Sequence, residues 1–471
     1  MKRNRLFLAL AMGLGLAVAG PALAAPAHKR SEDQDLRALI DKQQQQLDQQ
    51  QQALQILRDK LKQMEGEQVQ QQAQIQAQAS APPPPPPKPE KQVFSSGPGV
   101  SVSMHGWVDA TFFHQDKSFI FGNGQNAEYP QPGGTAGSLS GGDVRNMRFW
   151  FDFAGPALAN GWTGGGHLEM DFFGGFNGAG PFSQQQPIPR LRQAYLVLAN
   201  PGNGSTVQIG QQFDLTIGLD NVPVSISHIS FPLAYGVGLI GWRFPGVVWM
   251  QNLSHGTSGP QWRLDLGVFQ GQWNGPGDNV NYLSAGNVGF KPQLEARLHV
   301  QDKDWLAYAV VQGSQESLSG VNGTAPTPIA SKINSHAFVV GGSWHPGPWL
   351  FHGSIYSGKG IGQLFGSIAQ FGNIKATGGW LQAGYSFTPH WSANALYAYS
   401  KSNANDVITW LGHGSSGYLN NRQTALSLLY NYGPYGLGVE WIHAALGYTT
   451  TGLDRKSISG NQMNFSAIYH F

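Results

Sequence analysis

From residue 100 to Phe471, apolar and polar positions alternate with a period of two. His167, Leu168, Glu169, Met170, Asp171 and Phe172 alternate without a break. Trp262, Leu264, Leu266 and Val268 share one face against Arg263, Asp265 and Gly267, and Leu294, Ala296, Leu298 and Val300 oppose Glu295, Arg297 and His299. Such alternation predicts β-strands with two unlike faces. The connections alternate too: long Gly/Asn/Ser-rich segments at 115–142, 174–189, 213–242, 270–290, 313–334, 358–378, 401–421 and 447–458 are separated by short turns such as 200–204, 346–348 and 433–435. Eight long loops and seven short turns predict a sixteen-stranded antiparallel transmembrane β-barrel over 100–471. Phe465, Ala467, Tyr469 and the terminal Phe471 lie on one face of the last strand, opposite Gln462, Asn464, Ser466 and His470.

Upstream the period changes to seven. Ile40, Leu47, Leu54, Leu61 and Ile75 fall on one heptad position and Leu36, Leu57 and Met64 on the other, which predicts an α-helical coiled coil over 31–80 with a weak, Gln-rich seam. Pro82 to Pro87 then exclude helix, so 81–99 reads as an extended Pro-rich linker. Residues 1–24 carry Lys2, Arg3 and Arg5, an apolar run from Leu6 to Ala19, and Ala22-Leu23-Ala24, the pattern of a secretory signal peptide. The expected location is the outer membrane of a Gram-negative bacterium, with the coiled coil in the periplasm.

Composition supports this reading. Charged residues are 12% of the chain, against about a quarter in soluble domains, because a lipid-facing surface rejects them. There is no Cys, which excludes disulfide scaffolds and thiolate metal sites, and a net charge of +2 leaves no footprint for nucleic acid. From residue 91 on there are 18 Lys+Arg and 18 Asp+Glu. Lysines fall mostly in expected loops or turns (Lys117, Lys303, Lys332, Lys359, Lys375, Lys401), whereas arginines fall mostly on strands. Trp107, Trp162, Trp249, Trp262, Trp305, Trp349 and Trp391 are expected near the short-turn ends as an aromatic girdle.

Sixteen strands enclose an aqueous lumen. Parity places Arg148 inside with Trp150 and Asp152, and Arg263 and Arg297 inside as well. Arg190 and Arg192 share the inner face of the fourth strand, although Gln193 breaks the alternation, and Arg243 stands where the third long loop returns to the wall. Guanidinium groups suit small carboxylates as bidentate partners, so these six are the candidate substrate-binding residues. The opposing reading pairs them with Asp152, Glu169, Asp171, Asp265 and Glu295 to hold the wall together. The loop 213–242 is rich in apolar residues for a surface segment, which implies that it folds inward; packing on another subunit is the alternative. Gly236 to Gly241 spells GxGxxG without a βαβ unit, and Gly353 to Lys359 spells GxxxxGK on a strand, so neither is a nucleotide site. His167, Glu169 and Asp171 form a one-face row that a barrel-embedded hydrolase could use, and a tether or adhesin anchored by the barrel is the other alternative.

The coiled coil, linker and terminal Phe, with Met104-His105-Gly106-Trp107-Val108-Asp109, Arg190-Leu191-Arg192-Gln193-Ala194-Tyr195 and Ile209-Gly210-Gln211-Gln212-Phe213, resemble the DcaP-like trimeric porins of Gram-negative bacteria. The resemblance implies passive uptake of dicarboxylates and related aromatic acids through a homotrimer, without catalysis or cofactor. Expected partners are the lipid and lipopolysaccharide of the outer membrane, small carboxylate solutes, and peptidoglycan or a periplasmic protein at the coiled coil.

Overall fold

The structure, a computed structural model, describes residues 93–471 apart from 98, 120–128, 135–136, 176–186, 219–220, 255, 257, 271–279, 282–285, 288–290, 319–328 and 365–369, together with positions 44 and 55. The signal peptide, the remainder of the coiled coil and the linker up to residue 92 lie outside the described residues. The chain divides into two units after Pro86, and the second contains the sheet.

Among the described residues sixteen strands form one antiparallel sheet in sequence order. They are β1 (Val100–Gln115), β2 (Leu139–Asp143 continued by Arg148–Ala157), β3 (Thr163–Asp171), β4 (Arg190–Asn200), β5 (Ser205–Phe213), β6 (Arg243–Asn252), β7 (Gln261–Phe269) and β8 (Gln293–Asp302). The second half comprises β9 (Trp305–Ser317), β10 (Lys332–Trp344), β11 (Trp349–Lys359), β12 (Lys375–Ser386), β13 (Trp391–Ser402), β14 (Tyr418–Tyr432), β15 (Tyr435–Tyr448) and β16 (Lys456–His470). β1 pairs with β16 from Trp107↔His470 to Gln115↔Gln462, which closes the barrel. The terminal Phe471 completes the seam, its N–H and C=O bonding Gly106 at 3.0 and 3.1 Å. A Cβ on Gly106 would sit 2.5 Å from the Arg148 carbonyl, so only glycine fits that close approach. A short strand, Val93–Gly97, lies within the span expected to be linker and pairs back on β1.

Several strands run further than hydropathy suggests. The connections after β9, β11, β13 and β15 shrink to 318–331, 360–374, 403–417 and 449–455, because a backbone ladder continues through Gly, Ser, Asn and Thr without help from apolar side chains. Lys332, Lys359, Lys375 and Lys401 therefore stand on strand ends, not in loops. β2 is interrupted at 144–147, where Arg145 and Asn146 are buried.

The two faces separate as parity requires. Phe112, Leu196, Ile355 and Leu381 point outward and remain 62, 63, 66 and 59% exposed, part of an apolar band far too extensive for a water-facing surface. Inward positions are polar on many strands: Asp109, Thr111 and Gln115 on β1, and Gln462, Asn464 and Ser466 on β16. Trp249, Trp262, Trp305, Trp349 and Trp391 are exposed outward, and Trp344 joins them. Trp107 does not belong to that girdle: it faces inward, packs against Trp150, and donates Nε1–H to the Asn146 carbonyl at 2.8 Å.

Candidate functional site

The described residues of the third long connection, 214–218 and 221–242, lie inside the barrel. Phe231, Leu233, Tyr235, Val237 and Leu239 pack against Trp380, Leu396, Ala398, Ala425, Ile442 and Ala444, all on the inner faces of β12 to β15. The segment thus crosses the lumen from the wall it leaves to the wall opposite. Its apolar residues supply the driving force, and small wall residues supply the room: a Cβ on Gly238 would fall 2.1 Å from the Gly379 carbonyl. Ala234 adopts φ +68, and its carbonyl accepts the N–H groups of Val237, Gly238 and Leu239 at 2.9, 3.0 and 3.0 Å. The GxGxxG stretch is therefore part of a tight turn against the far wall.

Side chains pin this loop along its length. Asp214 ties its two ends, accepting Thr216 N–H, Ile217 N–H and Trp242 N–H at 3.1, 3.3 and 3.0 Å. Glu295 accepts Leu215 N–H at 2.5 Å. Farther along, Asn221 donates to Tyr308 Oη and the Gly353 carbonyl at 3.1 and 2.9 Å, and Gln382 bonds both peptide groups of Val224 at 2.7 and 3.0 Å. Glu440 accepts from Ser225 Oγ and Ser227 N–H at 3.0 Å each and from Ser227 Oγ, and Gln423 accepts Ala234 N–H at 2.7 Å. Burial lowers the pKa of His228 to about 3, so its imidazole is neutral, and pushes the Asp214 carboxyl up.

Between the loop and the wall of β2 to β8 lies a cavity of about 570 Å³, lined by Arg148, Arg192, Arg243, Arg263 and Arg297. Glu169, Tyr195, Gln208 and Gln212 line it as well. Inward parity on β5 points to Gln208 and Gln212, which the emphasis on charge passes over. Arg190 stands beside this lining: it is bidentate to Asp171 at 2.9 and 2.6 Å and packs on Phe173, Phe231 and Trp242.

Most of these arginines have carboxylate partners. Arg192 Nε donates to Glu169 and its Nη1 to Asp171 at 2.9 Å; Arg148 lies 3.9 Å from Glu169. Arg263 forks onto Asp265 at 2.7 and 3.1 Å, and Arg297 shares that carboxylate at 2.8 Å. Three of them also hold the loop. Arg148 donates to the Ile229 carbonyl at 3.3 Å, Arg192 to that of Ser230 at 3.2 Å, and Arg297 to those of Leu215 and Ile217 at 3.3 and 3.1 Å. Arg243 stacks on Trp242 and Phe213, its guanidinium carbon 4.4 and 5.5 Å from the ring centres.

The break in alternation at Gln193 has a local cause. A bulge on β4 sets Met170 opposite Leu191 and Glu169 opposite Gln193, leaving Arg192 as the extra residue, so Arg192 and Gln193 both face inward. The row His167, Glu169 and Asp171 is indeed on one face, but Glu169 and Asp171 are taken up by arginines. His167 bonds Asp152 at 2.7 Å and stacks on Tyr195.

No protein-family model matches the chain, and no curated protein matches its sequence. Among solved structures, the crystal structure of the outer membrane channel DcaP of Acinetobacter baumannii aligns over 80% of this chain and 99% of its own, with a TM-score of 0.60 at 17% identity. The barrel has the DcaP fold. OmpF of Salmonella typhi, in complex with daunomycin, shares the architecture more distantly, with a TM-score of 0.51 at 11% identity over 81% of this chain and 100% of its own. At these identities the likeness to DcaP and OmpF is one of fold. The DcaP-fold barrel described here carries an inward loop clasped by buried charges on one wall and by amides and a carboxylate on the other.

Proposed function

We propose that the protein is an outer-membrane diffusion channel for small hydrophilic solutes, with the long loops outward and the short turns in the periplasm. The observation that carries this reading is the inward loop: a closed, polar-lined barrel is narrowed at one level, and the space left there is lined by arginines. Solute preference follows from the charge at that level. On the β2 to β4 side of this level Arg148, Arg190, Arg192 and Arg243 outnumber the carboxylates Glu169 and Asp171, which favours small anions such as dicarboxylates and aromatic acids. Because these arginines already have partners, each contributes a weak site, which suits passage better than retention.

The heptads at 31–80 associate three chains in the periplasm, with the Pro-rich segment as spacer and the barrel walls as a second contact. The likeness in fold to DcaP, an outer membrane channel, supports the same reading. Planar-bilayer recording of the purified full-length protein tests it: ohmic steps grouped in threes are expected, with conductance reduced by added dicarboxylate. A folded, heat-modifiable barrel that gives no steps would instead favour the tether.

A further inference from the structure

One level nearer the short turns than the arginines, the inner wall of β1 to β4 changes from charges to rings. Inward steps of two residues lead from Arg148 to Trp150 and Asp152 on β2, from Trp107 to His105 on β1, from Glu169 to His167 on β3 and from Gln193 to Tyr195 on β4. Register sets His105 opposite Trp150, Asp152 opposite His167, and His167 opposite Tyr195, so these side chains form one ledge. The four residues from Arg148 to Asp152 give it a height of about 13 Å at about 3.3 Å per residue. At the same end of the barrel β13 and β14 turn Asn394 and Ser427 inward, bonded to each other at 3.1 Å, so the rings belong to one sector of the wall.

The rings touch one another and remain open to the lumen. His105 stacks on Trp150 with centres 5.5 Å and planes 24° apart, and His167 stacks on Tyr195 at 5.1 Å and 20°. Trp107 meets Trp150 edge-on at 5.4 Å and carries the Arg148 guanidinium over its ring at 4.9 Å. Trp150 and Tyr195 are only half-buried, and 24% of the His105 side chain and 51% of Asp152 stay exposed. Apolar ring surface left wet in a lumen is unfavourable for the empty barrel and favourable for a solute that covers it. Hydrogen-bonding groups border the rings. Asp152 accepts His167 Nδ1–H at 2.7 Å, and His105 Nε2 lies 3.8 Å from its other oxygen. The Tyr195 hydroxyl and the Gln208 amide of β5 have no hydrogen-bond partner among the described residues, and both line the cavity above. A pyranose matches this mixture: its axial C–H groups form apolar faces for rings, and its hydroxyls point around its rim toward a carboxylate, a phenol and an amide. A dicarboxylate has no such face, and a plain aromatic ring has no such hydroxyls.

We infer that this ledge is a binding site for a neutral pyranoside, which lies on Trp150, His105 and Tyr195 and places its hydroxyls on Asp152, Tyr195 Oη and Gln208. The inference rests on the channel reading, because a sugar reaches the ledge only through the lumen. It adds a class of solute that the arginine level does not serve.

The test uses the full-length protein in planar bilayers, with maltose as the pyranoside, sorbitol as an open-chain polyol, phenol as a flat ring and succinate as a dianion. Maltose is expected to interrupt the ion current in a concentration-dependent way, and sorbitol and phenol to do so at least tenfold less. Trp150→Leu should raise the half-blocking concentration of maltose at least about fivefold while that of succinate stays within about twofold, and Asp152→Ala should weaken the maltose response as well. A maltose response unchanged in Trp150→Leu overturns the inference, as does equal interruption by sorbitol. Interruption by phenol in place of maltose overturns the pyranoside and makes the ledge a site for aromatic solutes. If Trp150→Leu fails to show heat-modifiable mobility, Trp150→Phe and Tyr195→Phe carry the test. The first keeps a smaller ring and the second removes only a hydroxyl, so partial loss is expected in each, and an unchanged maltose response in both overturns the inference. Wild type that conducts without responding to maltose sinks the ledge alone. Wild type that gives no current steps sinks the channel reading and the ledge with it.

Discussion

Exchanging charge on the two members of one buried pair, Arg192 and Glu169, distinguishes a selectivity device from a wall brace. Arg192→Gln removes one positive charge and Glu169→Gln one negative charge, at nearly the same point in space. A unit charge roughly 7 Å from a passing ion contributes about 0.6 kcal/mol at a dielectric constant near 80, which is about threefold in ion partition, and more where the lumen is drier. The chloride-to-potassium permeability ratio from reversal potentials in a salt gradient should therefore fall severalfold in Arg192→Gln and rise severalfold in Glu169→Gln. Both variants break a buried pair, which typically costs about 3 to 5 kcal/mol, so both should lower the unfolding temperature. Stability thus moves the same way in both while selectivity moves in opposite ways. Equal reversal potentials in wild type and both variants would refute the electrostatic reasoning and leave the cluster as a clamp for the loop.

Other expectations concern the loop and the arm. Gly238→Val forces a side chain against the Gly379 carbonyl, an overpacking of about 1 to 3 kcal/mol, and should lift the turn from the far wall and give larger, noisier conductance steps. His228 has a folded-state pKa lowered to about 3 against 6.5 when free, so its contribution to loop docking is present above about pH 6.5 and is lost as pH falls toward 3, amounting to about 2 kcal/mol by pH 5. Asp214, pushed up by burial, acts in the opposite sense, so the readout is the difference between wild type and His228→Gln in open-channel noise across pH 4.5 to 7.5; identical profiles would exclude the histidine. Deleting residues 25–90 should leave a folded trimer of lower thermal stability on semi-native gels, whereas a monomer would assign the oligomer to the arm.

Much of the architecture was legible because strand parity is a local property. The inward placement of Arg148, Arg263 and Arg297 needs only the alternation around each, and the inward course of the loop follows from Val222, Phe231, Leu233 and Val237 having nowhere apolar to go outside. Other features depend on register between strands, which one strand's pattern does not contain. The bulge at Arg192, the sharing of Asp265 by Arg263 and Arg297, and the facing of Lys359 by Lys375 all arise from which residues stand opposite. Trp107 was misplaced for a related reason: its distance along β1 suits a girdle, but its parity turns it into the lumen. The loop's hydrogen bonds to β12, β14 and β15 were beyond reach because their partners lie between about 150 and 220 residues away in sequence.

That last feature bears on how the chain assembles. The loop is made before the strands it rests on: Ala234 bonds Gln423, 189 positions later, and Ser227 bonds Glu440, 213 positions later. A segment clasped at both walls reaches its final place only when β12 to β15 are present to receive it. Trp380, Leu396, Ala425 and Ile442, on four successive strands, each add to the apolar floor that holds it. Completion of the interior thus waits on contacts of high sequence separation, and contacts of this kind make folding slow.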